Sequence, residues 1–307
     1  MFNTRAATEG GQMLKYRAPS LFQPHRTRQA IRDAHDGKIR PLFGLYLGLS
    51  SVQTARFMAP MGFDFVWIDW EHSVCGTETM SEMCHQIQFM SEGKTVPFVR
   101  LRSHDHADVA FVLDTGANIV VPQVDTVEQC QHVISAMKFG SKNKGTRSAP
   151  PFRLIPGLTD TRIDPSKDIW KNLNDQAAIM IQIETLEGIE NLDEILTKCP
   201  DIDAVWLGTL DARISMNIDV FSFADPPTPE WAEATKLYEE TLKKHNKPGA
   251  GFALGPPEVM RMMGGGKAMC VVAGDVMGLC AQSELLVAAR DAIPDVGAKE
   301  VVVNGST

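Results

Sequence analysis

The sequence predicts a parallel α/β protein closed as a (β/α)8 TIM barrel, and three observations carry that expectation. Short apolar runs alternate with amphipathic, helix-like segments through eight strand–helix units. Several runs end abruptly in charge, as in Asp64-Phe65-Val66-Trp67-Ile68-Asp69-Trp70-Glu71-His72, Val96-Pro97-Phe98-Val99-Arg100 and Ile179-Met180-Ile181-Gln182-Ile183-Glu184. The C-terminal ends of parallel strands are where such folds build chemistry. No GxGxxG or GxxxxGK[ST] loop follows a strand, which weighs against the open, doubly wound alternative.

The elements follow in order. Residues 26–36 read as a helix stopped at Gly37, and 42–49 as the first apolar strand. Ser50 or Ser51 can cap a helix running to Met61, ended by Gly62. Strand 63–69 precedes a helix over 78–91; strand 96–101 precedes a helix over 105–115 that stops at Gly116. Strand 118–124 and a helix over 126–138 lead into a polar, Gly- and Pro-containing insertion, 140–175. Strand 177–183 is followed by a helix over 186–198, strand 204–207 by a helix over 231–245, and strand 249–254 by a short helix over 257–263. Strand 268–273 and a helix over 278–292 close the count. Residues 26–292 form one barrel domain on this reading, with tails over 1–25 and 293–307.

Composition narrows the function classes. At 307 residues and 44% hydrophobic, the chain can bury a large core. A net charge of −8 and the lack of a basic run interleaved with aromatics argue against a nucleic-acid surface. No apolar stretch approaches membrane-spanning length. The first 24 residues lack a secretory apolar core, so a cytoplasmic location is expected. Arg5, Lys15 and Arg17 against Glu9 give an organelle-targeting reading its only support, and no amphipathic pattern accompanies them. Six cysteines without a CxxC pair read as reduced thiols.

One histidine, one arginine and two carboxylates at strand ends make a candidate site. Glu184 and Asp211, capping neighbouring strands, would converge on one rim. Two hard oxygen ligands with open positions suit Mg2+, or Mn2+ or Co2+; the blander reading is that Glu184 caps the helix after Thr185 and Asp211 caps a turn. His72 is a candidate general base, with Asp69 or Asp114 to fix its tautomer, or else a structural histidine. Arg100, charged at the end of an apolar strand, must meet an anion, either a protein acid or a substrate oxygen. Trp67, Trp70 and Phe152 could wall a pocket for a planar substrate, or simply fill the core.

Taken together, Gly44-Leu45-Tyr46-Leu47-Gly48-Leu49-Ser50, Ile68-Asp69-Trp70-Glu71-His72, Pro97-Phe98-Val99-Arg100, Leu113-Asp114-Thr115-Gly116-Ala117, Val121-Pro122-Gln123-Val124 and Ile181-Gln182-Ile183-Glu184-Thr185 resemble the HpcH/HpaI aldolase/citrate lyase family over roughly residues 38–292. The resemblance implies metal-dependent class II pyruvate aldolases, a barrel whose last helix is exchanged between subunits, and homo-oligomers from dimer to hexamer. It implies Glu184 and Asp211 as metal ligands, Arg100 as the stabiliser of an enolate oxygen, His72 as base with Asp114 as its orienter, and Gln182 beside the pyruvate site. Where bacterial members read Gly-Pro-Ala-Asp-Leu-Ser, this chain has Gly208-Thr209-Leu210-Asp211-Ala212-Arg213, so the backbone expected to hold the substrate carboxylate is altered. Trp70 in place of a small residue, with Gly145-Thr146-Arg147-Ser148-Ala149-Pro150-Pro151-Phe152, looks more like the macrophomate synthase branch.

The expectation is a carbon–carbon lyase working through a divalent-metal-bound pyruvate enolate, by retro-aldol cleavage of 4-hydroxy-2-oxo acids or by oxaloacetate decarboxylation. The alternatives are addition of that enolate to a 2-pyrone or aromatic acceptor, and a non-catalytic barrel that binds a keto acid.

Overall fold

The computed structural model describes residues 8–220 and 227–293, without the side chains of Phe152 and Arg153. Eight strands, β1 (Leu42–Leu47), β2 (Phe65–Asp69), β3 (Val96–Arg100), β4 (Asn118–Val121), β5 (Ile179–Ile183), β6 (Ala204–Leu207), β7 (Gly249–Phe252) and β8 (Met269–Gly274), pair in sequence order. All pairings are parallel, and β8 returns to β1 to close the barrel.

Strand alternation sorts the core into two layers. Phe65, Trp67, Phe98, Val120, Met180, Ala204, Trp206 and Val271 point inward and fill the barrel. Val66, Ile68, Trp70, Val99, Ile119, Ile181 and Val205 point outward beneath the surrounding helices. Inside, the Trp67 and Trp206 rings meet edge-on with centroids 4.7 Å apart, and Trp206 meets Phe252 at 4.9 Å. This aromatic layer is the floor on which the charged rim stands.

The opposite end is plugged by the N-terminal segment. Met13 and Tyr16, in the turn Gln12–Tyr16, join Ala30 and Ile31 of helix Thr27–His35 in the same cluster as the barrel interior. The Tyr16 hydroxyl donates to Asp33 at 2.8 Å. Residues 8–25, read from sequence as part of a tail, are thus packed on the barrel: two large apolar side chains gain burial that the open barrel end offers.

Two helices escaped the sequence reading. Ile169–Gln176 lies within the supposed insertion, started by the Asp168 carboxylate, which accepts from the Lys171 amide at 2.7 Å. Its buried face includes Asn172, Asn174 and Gln176, so apolar periodicity could not reveal it. Thr209–Ser215 follows β6 directly. The last helix is two, Asp275–Cys280 and Gln282–Ala292. Helix Gln282–Ala292 buries no residue, and Leu285, Leu286 and Val287 are each more than half exposed. Beside β1 and β8 lies a groove of about 1000 Å3, lined by Phe43, Met61, Phe63, Met260, Cys270 and Val272 among others. Among the described residues no helix is long and apolar enough to cross a membrane.

Candidate active site

The charged side chains converge at the C-terminal ends of β2, β3, β5 and β6. Asp69 ends β2, and its register partner on β3 is Arg100. Both point inward by the parity that turns Trp67 and Phe98 inward. Arg100 donates Nε to Asp69 Oδ1 at 3.0 Å and Nη2 to Oδ2 at 2.6 Å, a two-pronged pair. Its Nε also lies 3.2 Å from Glu71 Oε2. Asp69 further accepts from the Tyr46 hydroxyl at 2.5 Å and from the amides of Glu71 and His72 at 3.1 and 3.2 Å. The anion that Arg100 requires is therefore a protein acid. Among the described residues its Nη1 makes no hydrogen bond.

These contacts set the local charges. Burial pushes the Asp69 carboxyl up, but the Arg100 fork and the Tyr46 hydroxyl outweigh it and hold Asp69 below the usual carboxylate range. Burial raises Glu71; Arg100 and His72 oppose that rise, while Asp69 and Asp211 add to it. Burial and the bond to Asp69 hold the Tyr46 proton in place.

Glu184 follows β5 and is 4% exposed. Its Oε2 accepts from the Gln123 amide at 2.9 Å and its Oε1 from Gln182 Nε2 at 2.8 Å. A Cβ on Gly208 would come within 2.6 Å of Glu184 Cγ and Oε1, so glycine leaves the carboxylate its room. Desolvation raises the Glu184 carboxyl to about 7; the Gln123 amide opposes this, and the charges of Asp211 and Glu71 reinforce it. Asp211 itself lies exposed in the first turn of Thr209–Ser215, beyond β6, which pairs Leu207 with Ile183 of β5.

The donor set bears on a divalent cation. Among the described residues no group of three or more His, Cys, Asp and Glu could hold an ion. Two carboxylates just past the ends of adjoining strands nonetheless match a hard cation that keeps waters and takes ligand oxygens in its other positions. Burial disfavours the ionised Glu184 carboxyl, and a cation held beside it would offset that cost. The residues fit the group.

Other expected residues fall elsewhere. His72 is at the rim, its side chain 68% exposed and Nε2 3.6 Å from Glu71 Oε2, so Glu71 is its nearest carboxylate. Asp114 ends helix His106–Asp114, just ahead of β4 and hence at the opposite end of the barrel. There it accepts from Arg147 Nη2 at 2.7 Å, and within one chain it does not orient His72. Trp70 is 1% exposed in the outer layer, its ring 4.1 Å beneath the Arg102 guanidinium and its Nε1 donating to the Cys75 carbonyl at 2.8 Å. It cannot wall an interior pocket, because it has the opposite parity to Trp67 and Asp69. Trp67 does face inward, with a buried Nε1 that lacks a partner among the described residues. Thr209 and Leu210 are exposed on the first turn of their helix, beside buried Gly208. The side chain of Phe152 lies outside the described residues.

Sequence reasoning missed Tyr46, Glu71 and Gln123 as members of the site. Tyr46 had a usable signal, because it lies on β1 two residues beyond Gly44, which faces the interior ring of Phe65. Gln123 acts through its main chain and carried none.

The family model for HpcH/HpaI aldolase/citrate lyase matches residues 42–222. A 2-keto-3-deoxy-L-rhamnonate aldolase from Klebsiella pneumoniae is 28% identical over 241 residues, covering 76% of this chain and 83% of its own. A hydroxypyruvate/pyruvate aldolase from Chromohalobacter salexigens is 28% identical over 208 residues, covering 66% and 74%. Among solved structures, macrophomate synthase superposes with a TM-score of 0.83 at 29% identity, covering 91% of this chain and 95% of that one.

Proposed function

The chain belongs to the HpcH/HpaI aldolase/citrate lyase family and is an enzyme of carbon–carbon bond cleavage, and from that premise we propose that it generates the enolate of a small 2-oxo acid such as pyruvate. The observation that carries this reading is the shared rim: Glu184 just past β5 and Asp211 in the helix that follows the adjoining β6, with Arg100 at the end of β3 locked by Asp69 and Glu71 at the end of β2. Glu184 and Asp211 would hold the divalent cation, Mg2+ in the first instance, which supplies Lewis acidity to the oxygens of the 2-oxo acid.

The remaining work belongs to protein side chains. Arg100 presents Nη1 to the oxygen that gains negative charge, and its pairing with Asp69 fixes that direction before the substrate arrives. Preorganisation of this kind places the donor where charge develops, without reorganisation during the step. Gln182 offers a buried Oε1 that lacks a protein partner among the described residues. His72, exposed at the mouth beside Glu71, takes the proton from the hydroxyl of a 4-hydroxy-2-oxo acid in retro-aldol cleavage and returns it in synthesis. Loss of CO2 from oxaloacetate reaches the same enolate without that base. The test is oxaloacetate decarboxylation by the wild-type protein, by Glu184→Ala, by Asp211→Ala and after EDTA. Activity that survives all three treatments refutes the metal-assisted mechanism.

A second reading, addition of the enolate to a 2-pyrone or aromatic acceptor, is favoured by the inward Trp67 and the likeness to macrophomate synthase. Product analysis of oxaloacetate mixed with pyrones or with aldehydes separates the two; capture by aldehydes alone removes it.

The assembly proposed is a homo-oligomer in which helix Gln282–Ala292 of one subunit fills the groove beside β1 and β8 of another. The apolar, unburied helix and the open groove support it. Leu286→Glu should shift the protein to monomers in sedimentation velocity. Unchanged association would count against the exchange. A cytoplasmic location belongs to the same proposal, supported by six free cysteines.

A further inference from the structure

The turn after β4 contains a backbone outlier that the mechanism above leaves unexplained. Gln123 has φ 45°, a left-handed conformation that non-glycine residues rarely adopt, yet its side chain is exposed. An unfavourable conformation persists only where its surroundings over-determine it. Here they do so from three sides. The Gln123 amide donates to Glu184 Oε2 at 2.9 Å. The next amide, Val124, donates to the Gln182 carbonyl at 3.0 Å. The preceding carbonyl, Pro122, meets His104 Nε2 at 2.7 Å, which makes that nitrogen the protonated one.

We propose that Gln123 is a positioning residue: its main-chain amide, turned inward by the left-handed conformation and clamped through Pro122 by His104, fixes the plane of the Glu184 carboxylate toward Asp211. Gln182 Nε2 holds the other oxygen at 2.8 Å, so both oxygens are anchored from two adjoining strands. The room left by Gly208 completes the seat. The side chain of Gln123 has no part in this. The turn's conformation and its N–H are what the site uses, and His104 acts at one remove from the carboxylate. Partners that orient a ligating group in this way commonly change metal affinity tenfold or more when lost. The inference rests on the reading of Glu184 as a cation ligand, and its test is chosen to fail separately from that reading.

Two measurements decide it. In metal-free protein, hydrogen exchange of the Gln123 amide should be slow in the wild type and at least about tenfold faster in Glu184→Ala, because no main-chain carbonyl protects it. Mn2+ affinity by calorimetry should follow the tolerance of each residue for positive φ. Gln123→Gly and Gln123→Asn should stay within about twofold of wild type, and Gln123→Val should weaken binding about tenfold. His104→Ala should weaken it several-fold, and His104→Gln, which can still donate to the Pro122 carbonyl, should restore most of the loss. If the Gly and Asn variants lose affinity as the Val variant does, the side chain matters and the inference is overturned. It is equally overturned if Glu184→Ala leaves the amide's exchange unchanged. If the wild type binds no Mn2+, the reading of Glu184 as a cation ligand falls, and the exchange comparison decides the clamp by itself.

Discussion

Replacing Glu184 by glutamine should make the metal-free protein more stable at alkaline pH, although it removes a proposed cation ligand. In the fold the Glu184 carboxyl is displaced from 4.5 to about 7, chiefly by burial and then by the charges of Asp211 and Glu71. The sign follows from linkage: a group whose folded value lies above its unfolded one favours the native state while protonated. That contribution is whole below about 4.5 and is lost as the pH rises through about 7. At 1.36 kcal/mol per pH unit, the displacement from 4.5 to about 7 corresponds to a loss of about 3 kcal/mol by pH 8. Glutamine carries no charge to desolvate, so Glu184→Gln escapes the loss.

The hydrogen bonds can be re-formed after the exchange. The oxygen of the new amide can still accept from the Gln123 N–H. Its NH2 would meet Gln182, whose Oε1 has no partner among the described residues and can turn to accept it. The expected result is a Tm for Glu184→Gln above wild type by roughly 5 °C at pH 8 and converging on it below about pH 4, in melts run with EDTA. Mg2+ should raise the wild-type Tm and leave the variant's unchanged. A variant no more stable than wild type at pH 8 would refute the claim that Glu184 is held as an uncompensated buried anion.

Three further outcomes are expected. Gly208→Ala should drive Glu184 from its seat, since the added Cβ would lie 2.6 Å from its Cγ and Oε1; Mn2+ calorimetry should read at least a tenfold loss, and retained affinity would show that the carboxylate relocates freely. Asp69→Asn should leave the Arg100 guanidinium buried without its charge partner, at a cost of about 3 kcal/mol in urea unfolding and with decarboxylation nearly abolished; a variant of normal stability would mean that Glu71 suffices to neutralise Arg100. His72→Ala should slow aldol cleavage at least tenfold more than oxaloacetate decarboxylation, and equal losses in both assays would contradict its role as the base.

The barrel was legible because it rests on local, repeated signals. Each apolar run is bounded by a helix-length amphipathic segment, and eight such units leave parallel closure as the economical solution. The helix Ile169–Gln176 was not legible, because its buried face is amide-rich and its packing is with the loop at Phe139, where Asn174 accepts from the Phe139 amide at 2.9 Å and donates to its carbonyl at 3.0 Å. Residues 8–25 read as a tail because two apolar side chains, Met13 and Tyr16, make no periodic pattern.

The amino-acid sequence by itself determined which charged side chains end which strands, because strand period and helix stops are set by neighbours in the chain. Even the error over Trp70 was open to correction from parity, since Trp67 and Asp69 share a face that Trp70 cannot. Only the tertiary structure decided who meets whom across strands: that Arg100 is taken by Asp69 and Glu71, that Asp114 pairs with Arg147 at the far end, and that a left-handed turn at Gln123 supplies an amide to Glu184. Those outcomes depend on barrel register and on the direction in which each helix returns. Both are set by the closure of all eight strands together, and no short segment encodes them.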